Sequence, residues 1–172
     1  MTESEQAQRI GSSREIVGTD GRRYAFADHH CFACGGTNPI GMGLHIELGD
    51  ATASTTWTAG DDYVGWSDKL HGGIVATLLD EVMAWACSSY DAWAVTAEMT
   101  VRYRSPASPG ETLSAVGRVV SRRRRIYEVT GEVTGGDGRV VAEGSGRYLG
   151  AAPTQKADLK ARYGTEPGTG GE

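Results

Sequence analysis

HGGIVATLLDEVMAWACSS, residues 71–89, is the one long segment of this chain with a helical period. Val75, Leu78 or Leu79, Val82 and Ala86 recur at i, i+3/4, i+7 and i+11, which is the stripe of a core-facing helix. From Gly73 to Ser89 the segment has no proline, and its strong helix formers (Ala, Leu, Met, Glu) outweigh its β-branched residues.

The flanks read as strand. Leu44, Ile46 and Leu48 alternate with His45 and Glu47, and a Gly49-Asp50 turn leads into Ala51–Trp57, a hairpin signal. Val95, Ala97, Met99, Val101 and Tyr103 alternate with polar residues, so this first set is expected to face the core. Strands over 112–120 and 126–134 follow the Pro106–Gly110 break, and a Gly135–Gly138 turn starts a last strand over 139–149. One long apolar helix among five or more antiparallel strands is an α+β plan, with a curved sheet covering the helix.

Residues 1–19 read as a flexible N-terminal arm, 20–150 as one domain, and 151–172 as a short helix (Thr154–Arg162) with a disordered GTEPGTGGE tail. A length of 172 residues suits a single domain. With 17 basic and 22 acidic side chains the net charge is −5, which argues against a nucleic-acid binder. No stretch approaches the roughly 18 apolar residues of a membrane helix. A polar N-terminus without a signal-peptide core, and an odd count of three cysteines (Cys31, Cys34, Cys87), point to a reducing cytoplasm rather than a disulfide scaffold.

Asp80 stands at the centre of the helix, flanked by Leu78, Leu79, Val82 and Met83. A carboxylate buried there without a partner is costly. Either Asp80 and Glu81 form a solvated stripe, or the small neighbours Ala76, Thr77 and Ala84 leave room for a ligand. His71-Gly72-Gly73 opens the helix, and two glycines there leave N–H groups uncovered at the positive end of the dipole, a plausible oxyanion site. The alternative is that they only permit a tight turn. His71 and Asp80 are nine residues apart, roughly 13 Å along the axis and on opposite sides. If the two features cooperate, the aspartate must therefore come from a second chain, across an isologous dimer interface.

HGGIVATLLDEVMAWA resembles the signature of hotdog-fold acyl-CoA thioesterases, in the group that includes the phenylacetate-degradation and 4-hydroxybenzoyl-CoA types. CFACG (31–35), NPIGMGL (38–44) and MTVRYRSPA (99–107) extend the resemblance over about residues 30–150. It implies a five- or six-stranded antiparallel sheet around the central helix, in a homodimer or dimer of dimers (a homotetramer). It implies that Asp80 is the catalytic carboxylate, as general base or nucleophile, and that the Gly72 N–H receives the oxyanion. His71 would support the bend, and Thr96 would hold the carboxylate or water. Thr96 falls on the polar phase of its strand, however. Either that face lines the site from a neighbouring subunit, or a bulge changes register, or the assignment fails. Gly65 departs from relatives that carry an amide side chain six residues before the histidine.

Other groups are weighed on their residues. Arg122, Arg123, Arg124 and Arg125 form either a solvated hairpin tip or a phosphate clamp for coenzyme A, with Arg102 and Arg104 as weaker candidates and Gly73 beside the substrate. His29, His30, Cys31 and Cys34 supply metal donors, but no second CxxC or spaced histidine pair follows, so no metal is expected. Trp57, Trp66, Trp85 and Trp93 read as core or interface fillers, with Trp66 and Trp85 near enough in sequence to border an acyl pocket. The expected activity is acyl-CoA thioester hydrolysis without a cofactor. The alternatives are an acyl carrier protein as acyl donor, a hotdog dehydratase or hydratase, and a non-catalytic acyl-CoA-binding protein.

Overall fold

The computed structural model describes residues 14–17, 23–26 and 29–165. Its main body is a six-stranded antiparallel sheet built from β3 (Glu47–Gly49), β4 (Thr52–Thr58), β5 (Ala94–Tyr103), β6 (Thr112–Arg123), β7 (Ile126–Gly135) and β8 (Val140–Gly150), in the order β3-β4-β6-β7-β8-β5. The helix α1 (Gly72–Ala86) lies in its concavity and passes into a 3-10 turn, Cys87–Tyr90. This is the hotdog fold, and α1 buries the residues its period marks: Val75, Leu78, Leu79, Val82, Met83 and Ala86. Each of these side chains larger than alanine contributes about 1.5–3 kcal/mol on leaving water. The approach is close. A Cβ at Gly117 of β6 would stand 2.4 Å from the Val82 carbonyl oxygen, so the helix rests directly on strand backbone there.

Two strand readings shift. The first arm of the early hairpin is only β3, although Leu44 and Ile46 are buried as expected. The backbone here is held otherwise: Leu44 N–H donates to Ala33 O at 2.9 Å, and Thr55 Oγ1 of β4 donates to His45 O at 2.6 Å. The turn falls at Asp50-Ala51, with Ala51 at φ 51°. In β5 the register against β8 slips between Thr96 and Glu98. This bulge inverts the side-chain phase upstream of it, leaving Val95 66% exposed. Downstream, Met99 and Val101 pack on the core as the alternation predicts.

A second sheet, β1 (Arg14–Val17), β2 (Arg23–Phe26) and β9 (Gly164–Thr165), is antiparallel throughout. It corrects both ends of the sequence reading, because Arg14–Val17 falls in the expected arm and Gly164–Thr165 in the expected tail. Strands this short leave no local period to detect. Residues 1–13 and 166–172, read as disordered, lie outside the described residues. The helix α2 (Pro153–Tyr163) forms where a short one is expected, held to Asp91 by ion pairs from Lys156 and Lys160. Among the described residues no helix is long and apolar enough to cross a membrane.

Candidate active site

The start of α1 is capped by the histidine that precedes it. His71 Nδ1 accepts from the Gly73 N–H at 2.9 Å, and the His71 carbonyl oxygen accepts from Ile74 (2.9 Å) and Val75 (3.4 Å). The first N–H groups of a helix have no intrahelical acceptor. Here three find one in His71, and the Gly72 N–H meets none among the described residues. Gly73, expected beside the substrate, has its amide engaged by this cap. Tyr103 lies beside this end, its hydroxyl donating to Gly72 O at 2.8 Å.

Halfway along α1, Asp80 is half-buried. Its Oδ1 accepts from Thr96 Oγ1 at 2.6 Å and from Tyr148 Oη at 3.0 Å. Among the described residues nothing donates to Oδ2. The bulge after Thr96 is what turns its hydroxyl toward the helix, which resolves the phase problem within one chain. Tyr148 is fully buried (0% exposed) and was not singled out in the sequence. Burial, reinforced by the negative charge of Asp80, pushes its phenol well above the ordinary tyrosine range, so it stays a proton donor. Gly72 and Asp80 are eight residues apart on one helix, about 12 Å of axis, so a single chain does not bring the amide and the carboxylate together.

The model of the thioesterase superfamily matches residues 68–142, a span that begins just before the His71 cap and includes Asp80 and Thr96. Over that span the chain is similar to the thioesterase superfamily. A conserved protein of Pseudomonas aeruginosa with a solved structure is similar at 32% identity, with a TM-score of 0.60 over 64% of this chain and 90% of that one. Human acyl-coenzyme A thioesterase 13 is 32% identical over 78 residues, 44% of this chain and 56% of that protein. The chain thus spans little more than half the length of that relative. Acyl-coenzyme A thioesterase PaaI of Escherichia coli (strain K12) is 26% identical over 116 residues, 65% of this chain and 81% of that protein. The solved PaaI structure shares the fold, with a TM-score of 0.62.

The departure at Gly65 has a steric cause. A Cβ there would stand 2.9 Å from His71 Cα, so an amide side chain would displace the helix cap. The arginine run is divided. Arg122 lies over the rings of Tyr90 (5.3 Å) and Tyr127 (5.6 Å), and Arg125 Nη1 donates to Gly150 O at 3.1 Å. The side chains of Arg123 and Arg124 have no partner among the described residues and stand in solvent. Arg104 is paired with Glu143 at 2.6 Å, which removes it as a free phosphate clamp. Trp57 is core, whereas Trp66 is 89% exposed.

A cavity of about 370 Å³ opens on the Glu81 side of α1, lined by His29, Cys31, Cys34, Glu81, Trp85 and Trp93 among others. Asp80 does not line it. Trp85 does, with Nε1 donating to Glu81 Oε1 at 2.7 Å. Burial, then the charge of Cys31, pushes the Glu81 carboxyl up to about 7. A hydrogen bond from Cys34 brings the Cys31 thiol down to about 5, while the same bond and burial push Cys34 far up. His29, Cys31 and Cys34 place their donor atoms within 4.8 Å of one another. The sequence names these three among its metal donors but offers no second CxxC or spaced histidine pair; the fold brings the three together.

Proposed function

We propose that this protein hydrolyses acyl-CoA thioesters to a carboxylic acid and free coenzyme A, working as a homodimer. The observation that carries the reading is Asp80, whose Oδ1 is fixed by Thr96 and Tyr148 while Oδ2 remains open. A carboxylate so held is oriented without being neutralised. In the general-base reading, Oδ2 takes a proton from water as its oxygen adds to the thioester carbonyl carbon. The C–S bond then breaks, and the coenzyme A thiolate leaves with that proton. The developing oxyanion is received by the Gly72 N–H of a second copy, at the positive end of its α1. Curated relatives at 26–32% identity that are named acyl-coenzyme A thioesterases support the substrate class.

Dimer formation agrees with the surface. β5 is an edge strand whose Val95 and Tyr103 are exposed, and Trp66 stands out beside the His71 cap. Three free thiols fit a reducing compartment. The test is thiol release from a panel of aliphatic and aromatic acyl-CoAs. Asp80→Asn is expected to slow turnover on the order of a hundredfold to ten-thousandfold with the fold intact. An Asp80→Asn protein as active as the wild type overturns the reading.

A further inference from the structure

We propose that His29, Cys31, Cys34 and Glu81 form a binding site for one Zn²⁺ ion that staples the segment before β3 to the central helix. Four features of the local geometry support it, and none depends on the thioesterase reading.

The first is spacing. Cys34 Sγ and His29 Nε2 are 3.6 Å apart. The edge of a zinc tetrahedron with one sulfur and one nitrogen ligand is about 3.5 Å, from Zn–S and Zn–N bonds of about 2.3 and 2.0–2.1 Å. The pair is therefore already at ligand separation, and Cys31 Sγ lies within 4.8 Å of both.

The second is the turn that holds the sulfurs. Gly35 N–H donates to Cys31 O at 3.0 Å, folding CFACG back on itself. A Cβ at Gly35 would fall 2.2 Å from His29 O and 2.4 Å from Cys31 N, so only glycine lets the turn close against the His29 backbone. The Ala33 and Cys34 backbone N–H groups are directed at the Cys31 sulfur, the arrangement that supports a thiolate ligand from its outer side.

The third is the fourth donor. The Glu81 carboxyl lines the same cavity wall as Cys34, and Trp85 Nε1 donates to its Oε1 at 2.7 Å, which orients the group. Two thiolates, an imidazole and a carboxylate suit zinc better than magnesium or calcium, which take oxygen ligands. The last is location. Cys34 is buried and Cys31 and His29 are half-buried, in a pocket wall rather than on an open loop.

The experiment uses untagged full-length protein. Mass spectrometry of the metal content is expected to find about one zinc per folded chain, falling to below about a fifth in His29→Ala and in Cys34→Ser. Should those variants not fold, wild-type protein stripped with a chelator and titrated with Co²⁺ is expected to show thiolate-to-cobalt charge transfer and tetrahedral d–d absorption. Folded wild-type protein that carries no zinc and takes up no Co²⁺ in this form overturns the site. Isolation from reducing cells with a Cys31–Cys34 disulfide and no metal overturns it as well.

Discussion

Thr96 and Tyr148 face each other across the β5–β8 ladder, and both hydroxyls donate to the same oxygen of Asp80. Each donor alone permits the carboxylate to swing about its χ2; together they set its plane. Tyr148→Phe removes one donor without opening a cavity. Hydrogen bonds to charged groups are worth about 1.5–3 kcal/mol, so kcat for acyl-CoA hydrolysis is expected to fall about 10- to 100-fold with little change in KM. Thr96→Ala is expected to act in the same direction. The double variant should lose less than the product of the two, because the groups hold one oxygen. Steady-state kinetics on all four proteins checks this, and strictly multiplicative losses would count against a shared positioning role.

The helix was legible because its period and composition agree, and because an aspartate amid Leu78, Leu79 and Val82 has no packing reason to be there. The His71 cap was half legible: the residue stood out, but its engagement of Gly73 depends on a side-chain angle. Tyr148 was illegible. Its role arises from lying opposite Thr96 in register, and register depends on a bulge at Ala97 that no glycine or proline announces. The His29–Cys31–Cys34 cluster was visible as residue types, while its fourth member sits 47 positions beyond Cys34 on α1. Such a distance carries no sequence signal.

Among the described residues the four arginines divide into two with intramolecular partners and two without, and their variants should separate accordingly. Arg122→Ala loses the contacts over Tyr90 and Tyr127, an exposed interaction worth about 0.5–1 kcal/mol. It is expected to lower the unfolding midpoint with KM unchanged. Arg123→Ala and Arg124→Ala are expected to leave stability alone. Their KM should rise about twofold to fivefold for acyl-CoA, but not for a short thioester without the nucleotide. Equal KM effects on both substrates would exclude a phosphate contact.

Acid sensitivity has a defined source in Glu111, whose carboxyl is held below its ordinary value by the Arg139 guanidinium at 2.7 Å. A depressed folded pKa means that the unfolded chain binds the proton more readily. The stabilisation is therefore complete above the unfolded value of about 4.3 and is lost as pH falls through the folded value. Glu111→Gln is expected to be less stable than wild type at neutral pH, with the gap closing as the buffer is acidified below about pH 4.5. Thermal unfolding followed by circular dichroism across that range checks the sign. A gap that widens on acidification would show that Glu111 is not the titrating partner.

The proposed division of the oxyanion donor and the carboxylate between two chains has a consequence that two variants can test. His71, at ψ 132°, has the backbone that a following proline requires, and Gly72 is the first helical residue, where proline is well tolerated. Gly72→Pro therefore deletes one N–H while leaving the helix able to start. Gly72→Ala adds a Cβ at the same place, 3.4 Å from the Tyr103 ring, but keeps the N–H, so it separates crowding from loss of the donor. Gly72→Pro and Asp80→Asn are each expected to be inactive alone, with Gly72→Ala far less affected. Co-expressed, the first two form mixed dimers in which one site pairs Asp80 from the Gly72→Pro chain with Gly72 from the Asp80→Asn chain; the other site has neither group. With random pairing, half of the dimers are mixed and each has one intact site of two, so about a quarter of wild-type activity should return. If each chain builds its own site, no combination of the two restores turnover, and co-expressed protein would remain as inactive as either parent.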